Sequence, residues 1–197
     1  ADVIVTPVNQ DMFFCEEKKW NSTQRICMLH HDYSWKGYED GIKAIKEVIA
    51  QGHDLELVVF GEKLKDPQPL FDAAGFEFEY HYRPAREKLR KIYVSCDIFL
   101  CSSWYEGLGL TGMEAMACRC SLVTTNTGGC LEYAIDEKTA LVSEPRDIIG
   151  LSRNLIRLLE DEALLKSLSE GGYCKINEFN WEESCDRLIC LFNESLT

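Results

Sequence analysis

Hydrophobic positions along this chain switch repeatedly between two periods. Arg25–His30 (RICMLH) is a short, nearly continuous apolar run, the mark of a strand covered on both faces. After a polar loop, Tyr38, Ile42, Ile45 and Ile49 recur three or four apart. That spacing predicts a helix with those four on its inner face, stopped by Gly52. The alternation continues with a strand over 54–60 closed by Gly61, a short helix over 67–74 and a strand over 76–81. A helix starting at Pro84 follows, with Leu89, Ile92 and Tyr93 inward. Ile98–Cys101, Ser121–Thr124 and Thr139–Val142 are the remaining clear strands, and residues 2–6 (DVIVT) read as a short first one. From Pro145 the pattern turns helical, over about 145–160, 162–178 and 181–195. The last of these carries Trp181, Cys185, Leu188 and Phe192 as a stripe, and packing on the sheet is the simplest role for most of them.

Strands alternating with helices imply parallel pairing through right-handed crossovers, so the expected fold class is α/β, an open Rossmann-like parallel sheet flanked by helices. Such sheets bind ligands beyond the carboxyl ends of their strands. The loops at 31–36, 82–83, 102–111 and 125–129 should all emerge at that edge.

The loop between Asp97 and Cys120 concentrates the candidate chemistry (DIFLCSSWYEGLGLTGMEAMACRC). Glu106-Gly107-Leu108-Gly109 turns the chain after a buried strand. Thr111 and Glu114 then stand three apart before a small apolar run, a capping-box pattern that predicts a helix starting at Thr111. A helix N-terminus with glycine before it suits an anion such as a diphosphate, and carboxylates accept hydrogen bonds from sugar and ribose hydroxyls.

Net charge is −12, with 33 acidic against 21 basic side chains, which argues against a nucleic-acid surface. No apolar run is long enough to span a membrane, and the N-terminal residues lack the pattern of a signal peptide. The ten cysteines form no C-x-x-C pair and mostly sit in apolar runs, so they read as reduced core thiols in a cytoplasmic protein rather than as metal ligands.

Taken in order, these motifs resemble family 4 retaining glycosyltransferases (glycosyltransferase group 1), whose GT-B fold places two Rossmann-like halves around a cleft. Glu106-Gly107-Leu108-Gly109 with Glu114-Ala115-Met116-Ala117-Cys118 is similar to that family's paired-glutamate motif. Lys36-Gly37 resembles its lysine-glycine element, and Gly61 its glycine after the second strand. Tyr93, Cys96 and Asp97 stand where its "Y..aD" element lies. Thr127-Gly128-Gly129 with Glu132 resembles its Gly-Gly-x-x-Glu loop, and Phe179-Asn180-Trp181 its closing Phe-Ser-Trp. Two departures stand out: His31 occupies the place of an arginine, and Arg119 and Ser121 replace Gly and Pro.

The resemblance implies a C-terminal, donor-binding half, with residues 1–20 as the interdomain linker and first strand and 21–197 as the nucleotide-sugar domain. It implies Glu106 on the hydroxyls of the transferred sugar, Glu114 on the ribose hydroxyls, and the backbone of Gly107, Leu108, Gly109, Leu110 and Thr111 facing the diphosphate. Lys36 would neutralise the leaving nucleotide in place of a divalent metal, leaving no metal site and no cofactor beyond the donor itself. Gly128 and Gly129 would line the cleft, His31 would either face the diphosphate or be a loop residue with no ligand contact, and Tyr82 and Arg83 would approach the base. The implied partners are a nucleoside-diphosphate sugar, an N-terminal acceptor domain and a glycan or glycolipid acceptor. Any membrane association would be peripheral, at the cytoplasmic face. If that other half is absent, an apolar patch near the cleft or along the last helix should be exposed. A nicotinamide dehydrogenase would need G-x-G-x-x-G after the first strand, where only HDYSWKG follows. A phosphorylase would need a pyridoxal-binding lysine, and none is identifiable. A non-catalytic nucleotide-binding or scaffolding module of the same fold stays open.

Overall fold

The computed structural model describes residues 4–195. Six strands, β1 (Arg25–His30), β2 (Glu56–Gly61), β3 (Glu79–Tyr82), β4 (Ile98–Cys101), β5 (Ser121–Thr125) and β6 (Ala140–Ser143), form one sheet in the order β3-β2-β1-β4-β5-β6. Every neighbouring pair is parallel. The order runs outward from β1 in one direction and from β4 in the other, so the chain switches direction between those two strands. Ligands of open α/β sheets bind beyond such a switch point.

Helices cover both faces, which is why the strands read as unbroken apolar runs rather than alternating ones. On one face α1 (Tyr38–Ala50), α5 (Ile148–Glu160) and the start of α6 (Glu162–Asn177) bury Ile42, Ile45, Leu151, Leu155 and Leu165 against Ile26, Met28, Ile98 and Leu100. On the other, α3 (Arg86–Ser95) and α4 (Leu110–Ala117) bury Ile92, Tyr93, Met113 and Met116 against Cys27, Phe60, Phe99 and Leu122. The short α2 (Gln68–Ala74) links β2 to β3. Adjacent residues of β1 and β4 thus enter opposite cores, as the pleat requires.

Several sequence expectations are corrected. Residues 2 and 3 of the expected first strand lie outside the described residues, and residues 4–6 form no strand. This segment is held by side chains instead, with Val8 and Phe13 buried in the second core. On α1, Val48 is buried and Ile49 is 42% exposed, because a four-residue step from Ile45 overshoots the buried stripe. Helix α3 begins at Arg86, two residues after Pro84. The capping box does not form: Gly109, at φ 80°, already turns the chain into α4 at Leu110, so Thr111 lies inside the first turn and no side chain caps it. Helices α5 and α6 pack on the sheet, but α7 (Trp181–Ser195) does not. Its stripe faces outward, with Trp181 54% and Phe192 60% exposed. Ser184 does tie α7 back, donating from Oγ to the Val5 carbonyl at 2.9 Å.

Candidate functional site

The loops that leave β1 and β4 meet at the switch point. Lys36 ends a single 3₁₀ turn (Ser34–Lys36), and Gly37, at φ 63°, turns the chain into α1. A Cβ on Gly37 would lie 1.8 Å from the Ser102 carbonyl oxygen, so only glycine lets the two loops press together there. Ser102 Oγ donates to the Gly37 carbonyl at 2.7 Å, and the Trp104 N–H donates to the Trp35 carbonyl at 2.7 Å. Trp104 Nε1 also donates to Asp40 Oδ2 at 2.7 Å, pinning the β4–α4 loop onto α1.

This contact sets Lys36 against Glu106. Lys36 Nζ donates to both carboxylate oxygens, at 2.7 and 2.9 Å, and Ser103 Oγ donates to Oε1 at 2.7 Å. Both charged side chains are largely enclosed, which makes the pair a rigid feature rather than a surface contact. They open onto a cleft of about 380 Å³ lined by Thr6, Gly107, Leu108, Gly109, Leu110 and Thr111 as well. The cleft sits over the uncapped N-terminus of α4, whose first N–H groups have no intrahelical acceptor.

The Gly-Gly loop after β5 closes one wall. Gly128 pairs with Glu106 in a single parallel bridge, and a Cβ on Gly129 would lie 1.6 Å from the Gly107 carbonyl oxygen. Tyr133, buried behind this wall, donates to the Gly109 carbonyl at 2.8 Å. Burial raises its phenol well above the ordinary tyrosine value, so it stays a neutral donor.

Glu114 lies one turn into α4 and does not line the same cleft. Burial pushes its carboxyl up to about 7, against the pull of the Arg86 charge and of Tyr93, whose hydroxyl donates to Oε2 at 3.4 Å. A half-buried carboxylate with one long hydrogen bond has unused acceptor capacity.

The remaining expected residues stand apart from this centre. His31 Nε2 lies 3.9 Å from Glu62 Oε1, its Nδ1 accepts from the Tyr33 N–H at 3.1 Å, and its ring lies against Tyr33, tilted by 33°. Tyr82 and Arg83 are exposed at the end of β3. Arg83 adopts φ 44° and donates its N–H to the Gly61 carbonyl at 2.7 Å. Asp97, part of the "Y..aD" match, is buried at the opposite edge of the sheet. It accepts from the Arg25 N–H at 2.8 Å and from Asn21 Nδ2 at 2.9 Å, tying the segment before β1 to the start of β4.

Thr6, Ser103 and Tyr133 belong to the site and were not singled out in the sequence. Only Ser103 carried a signal, as one of two serines opening the loop before Glu106. All ten cysteines are free, six of them buried. Among the described residues no group of three or more His, Cys, Asp or Glu is arranged to hold a metal, and no helix is long and apolar enough to cross a membrane.

Comparison with known proteins places the fold in a family. The family model described as Glycosyl transferases group 1 matches residues 13–175. An N,N'-diacetylbacillosaminyl-diphospho-undecaprenol alpha-1,3-N-acetylgalactosaminyltransferase from Campylobacter jejuni is 32% identical over 140 residues, which are 68% of this chain and 36% of that protein. The C-terminal domain of a group 1 family glycosyl transferase (LpcC) from Francisella tularensis superposes with a TM-score of 0.73 at 21% identity, over 87% of this chain and 97% of that one. Anabaena Alr3699/HepE, solved with UDP and glucose, superposes with a TM-score of 0.78 at 16% identity, over 98% of this chain and 56% of that one. The chain spans less than half the length of the curated relatives it matches, between 25% and 44%. The family match covers most of the chain, and the chain belongs to the group 1 glycosyltransferases.

Proposed function

We propose that this chain is the donor half of a retaining glycosyltransferase. In this reading it binds a nucleoside-diphosphate sugar, and a hexosyl group passes to a glycan or lipid acceptor held by an N-terminal domain. One observation carries the reading: the enclosed Lys36–Glu106 pair at the uncapped N-terminus of α4. An ammonium has three protons, and two are directed at Glu106, which leaves one for a diphosphate oxygen. As the sugar–phosphate bond breaks, negative charge builds on that diphosphate, and a fixed cation beside it stabilises the transition state more than the ground state. Glu106 is held by Lys36 and Ser103 and keeps lone pairs for hydroxyls of the transferred sugar.

The first N–H groups of α4, with the Gly107–Thr111 backbone, would take the phosphates. Glu114 would accept from the ribose, and Gly128 and Gly129 would form the wall beside the sugar. His31 would have to leave Glu62 to reach the diphosphate, and Tyr82 and Arg83 would meet the base only at the rim. This reading asks for no cofactor beyond the donor. Without its acceptor half the chain would bind donor and transfer nothing. The UDP and glucose held by the Anabaena protein make a uridine nucleotide the first candidate to try.

The test is calorimetric binding of UDP, GDP, ADP and dTDP, with and without magnesium, to the chain and to Lys36→Ala. One nucleotide should bind without metal. Lys36→Ala should weaken it by about tenfold or more, the loss of one charge-assisted hydrogen bond, while uridine or its counterpart nucleoside binds unchanged. Silence from all four, or an unaffected Lys36→Ala, would favour a scaffolding module that keeps the fold without the donor.

A further inference from the structure

Charge is unevenly placed on this acidic chain. Five of its 21 basic side chains, Arg83, Arg86, Lys88, Arg90 and Lys91, fall in residues 83–91 beside a single acid, Glu87. Helix α3 turns Ile92 and Tyr93 inward, while Arg86, Lys88 and Lys91 are exposed. Arg90 is half-buried, with its guanidinium 4.4 Å over the Phe14 ring. Among the described residues none of the five joins an ion pair, so the local excess of positive charge is not neutralised within the fold.

Packing accounts for Arg90, over Phe14, but not for the other four. Arg86 and Arg90 stand four apart and Lys88 and Lys91 three apart, spacings at which like charges repel on a helix. Arg86 and Lys88 also sit in the first turn, where the helix dipole disfavours cations and no side chain caps the end. An unpaired basic face kept at such a cost, on a chain that is acidic elsewhere, is complementary to a negatively charged partner.

We propose that α3 is a docking surface for an anionic phospholipid bilayer. Tyr82, exposed beside Arg83, is the amphipathic ring that suits the headgroup layer. The acidic remainder is repelled by the same surface and so orients the domain. The choice of a bilayer over a soluble polyanion rests on the donor-half reading above. Arg83 and Arg86 stand at the carboxyl edge of the sheet, the edge on which the cleft also opens, so a bilayer bound by α3 lies on the side where a lipid-borne acceptor would arrive.

Co-sedimentation with vesicles tests this, with phosphatidylcholine alone against phosphatidylcholine mixed with phosphatidylglycerol. The chain should bind only the mixed vesicles, and added salt should weaken that binding. Lys88→Gln with Lys91→Gln should bind them about tenfold less or weaker, and Lys88→Arg with Lys91→Arg should bind as the parent does. Both double variants should bind UDP unchanged. Equal binding to both vesicle types, binding to neither, full binding by the glutamine pair, or loss in the arginine pair each overturns the proposal. So does binding of inorganic polyphosphate without binding of vesicles. If the parent binds mixed vesicles but no nucleotide, the donor reading fails and the docking surface stands.

Discussion

Replacing Glu114 with glutamine should make the protein more stable and a poorer nucleotide binder. Burial raises the carboxyl from an ordinary value near 4.5 to about 7. A raised folded-state value means that ionisation works against the fold. The wild type has its full stability below about pH 4.5 and loses part of it as pH climbs through about 7. At about 1.4 kcal/mol per pH unit, the penalty is about 1.4 kcal/mol at pH 5.5 and about 3 kcal/mol at pH 8. Glutamine is isosteric and neutral, and its carbonyl can still accept from the Tyr93 hydroxyl, so the variant escapes most of that penalty. Its stability gain over wild type should therefore grow by about 1–2 kcal/mol between pH 5.5 and pH 8. Urea unfolding followed by tryptophan fluorescence measures this, and staying at pH 5.5 or above avoids precipitation near the isoelectric point of about 4.8. The same variant should bind UDP about tenfold more weakly at pH 8, because an amide accepts ribose hydroxyls less strongly than a carboxylate does. A stability gain of equal size at both pH values, or a loss at both, would refute the desolvation argument. A gain in stability with unchanged UDP affinity would leave that argument intact and remove Glu114 from the donor site.

Two further substitutions test the walls of the cleft. Gly129→Ala should lower the midpoint of thermal unfolding by several degrees, through a destabilisation of about 2 kcal/mol or more, because the added Cβ meets the backbone carbonyl of Gly107 at 1.6 Å and neither loop can yield alone; an unchanged midpoint in differential scanning calorimetry would show that the Gly-Gly loop is not locked against the motif. Ser103→Ala removes one of the hydrogen bonds that fix Glu106, and by the proposed role it should weaken binding of the nucleotide sugar by about fivefold while leaving the free nucleotide within a factor of about two, measured side by side in the calorimeter.

How far the sequence exposes such a protein depends on which interactions repeat along the chain and which do not. The strands were legible because a parallel sheet covered on both faces needs uninterrupted apolar runs, as in RICMLH and IFLC. Charged and glycine-rich loops at the ends of those runs were legible for the same reason, as the only polar breaks at the carboxyl edge. Helix boundaries were less so. Thr111 and Glu114 have the spacing of a capping box, yet Gly109 starts the helix earlier through a backbone angle that its spacing to them does not encode. The stripe on α7 reported an apolar face without naming its partner, and on α3 the net charge of the whole chain hid a local charge of opposite sign.

Membership of the site was hidden for a topological reason. Periodicity indicates that the loops after β1, β3, β4 and β5 leave one edge, but not which strands are neighbours. In the observed order β1 adjoins β4, so Lys36 meets Glu106 across 70 positions of sequence. β5 adjoins β4 on its other side, which is why Gly128 pairs with Glu106 and Gly129 abuts Gly107. β3 lies two strands from β1, roughly 10 Å at the usual spacing, so Tyr82 and Arg83 end at the rim although their loop shares the same edge. His31 leaves β1 itself but turns toward Glu62, which follows β2 on the side away from β4. Strand order thus sorts the expected residues into those that can act on one ligand atom together and those that can only touch a ligand's far end. The most direct check on the proposed chemistry is therefore the pair that this order creates, Lys36 with Glu106, before any residue of the outer loops.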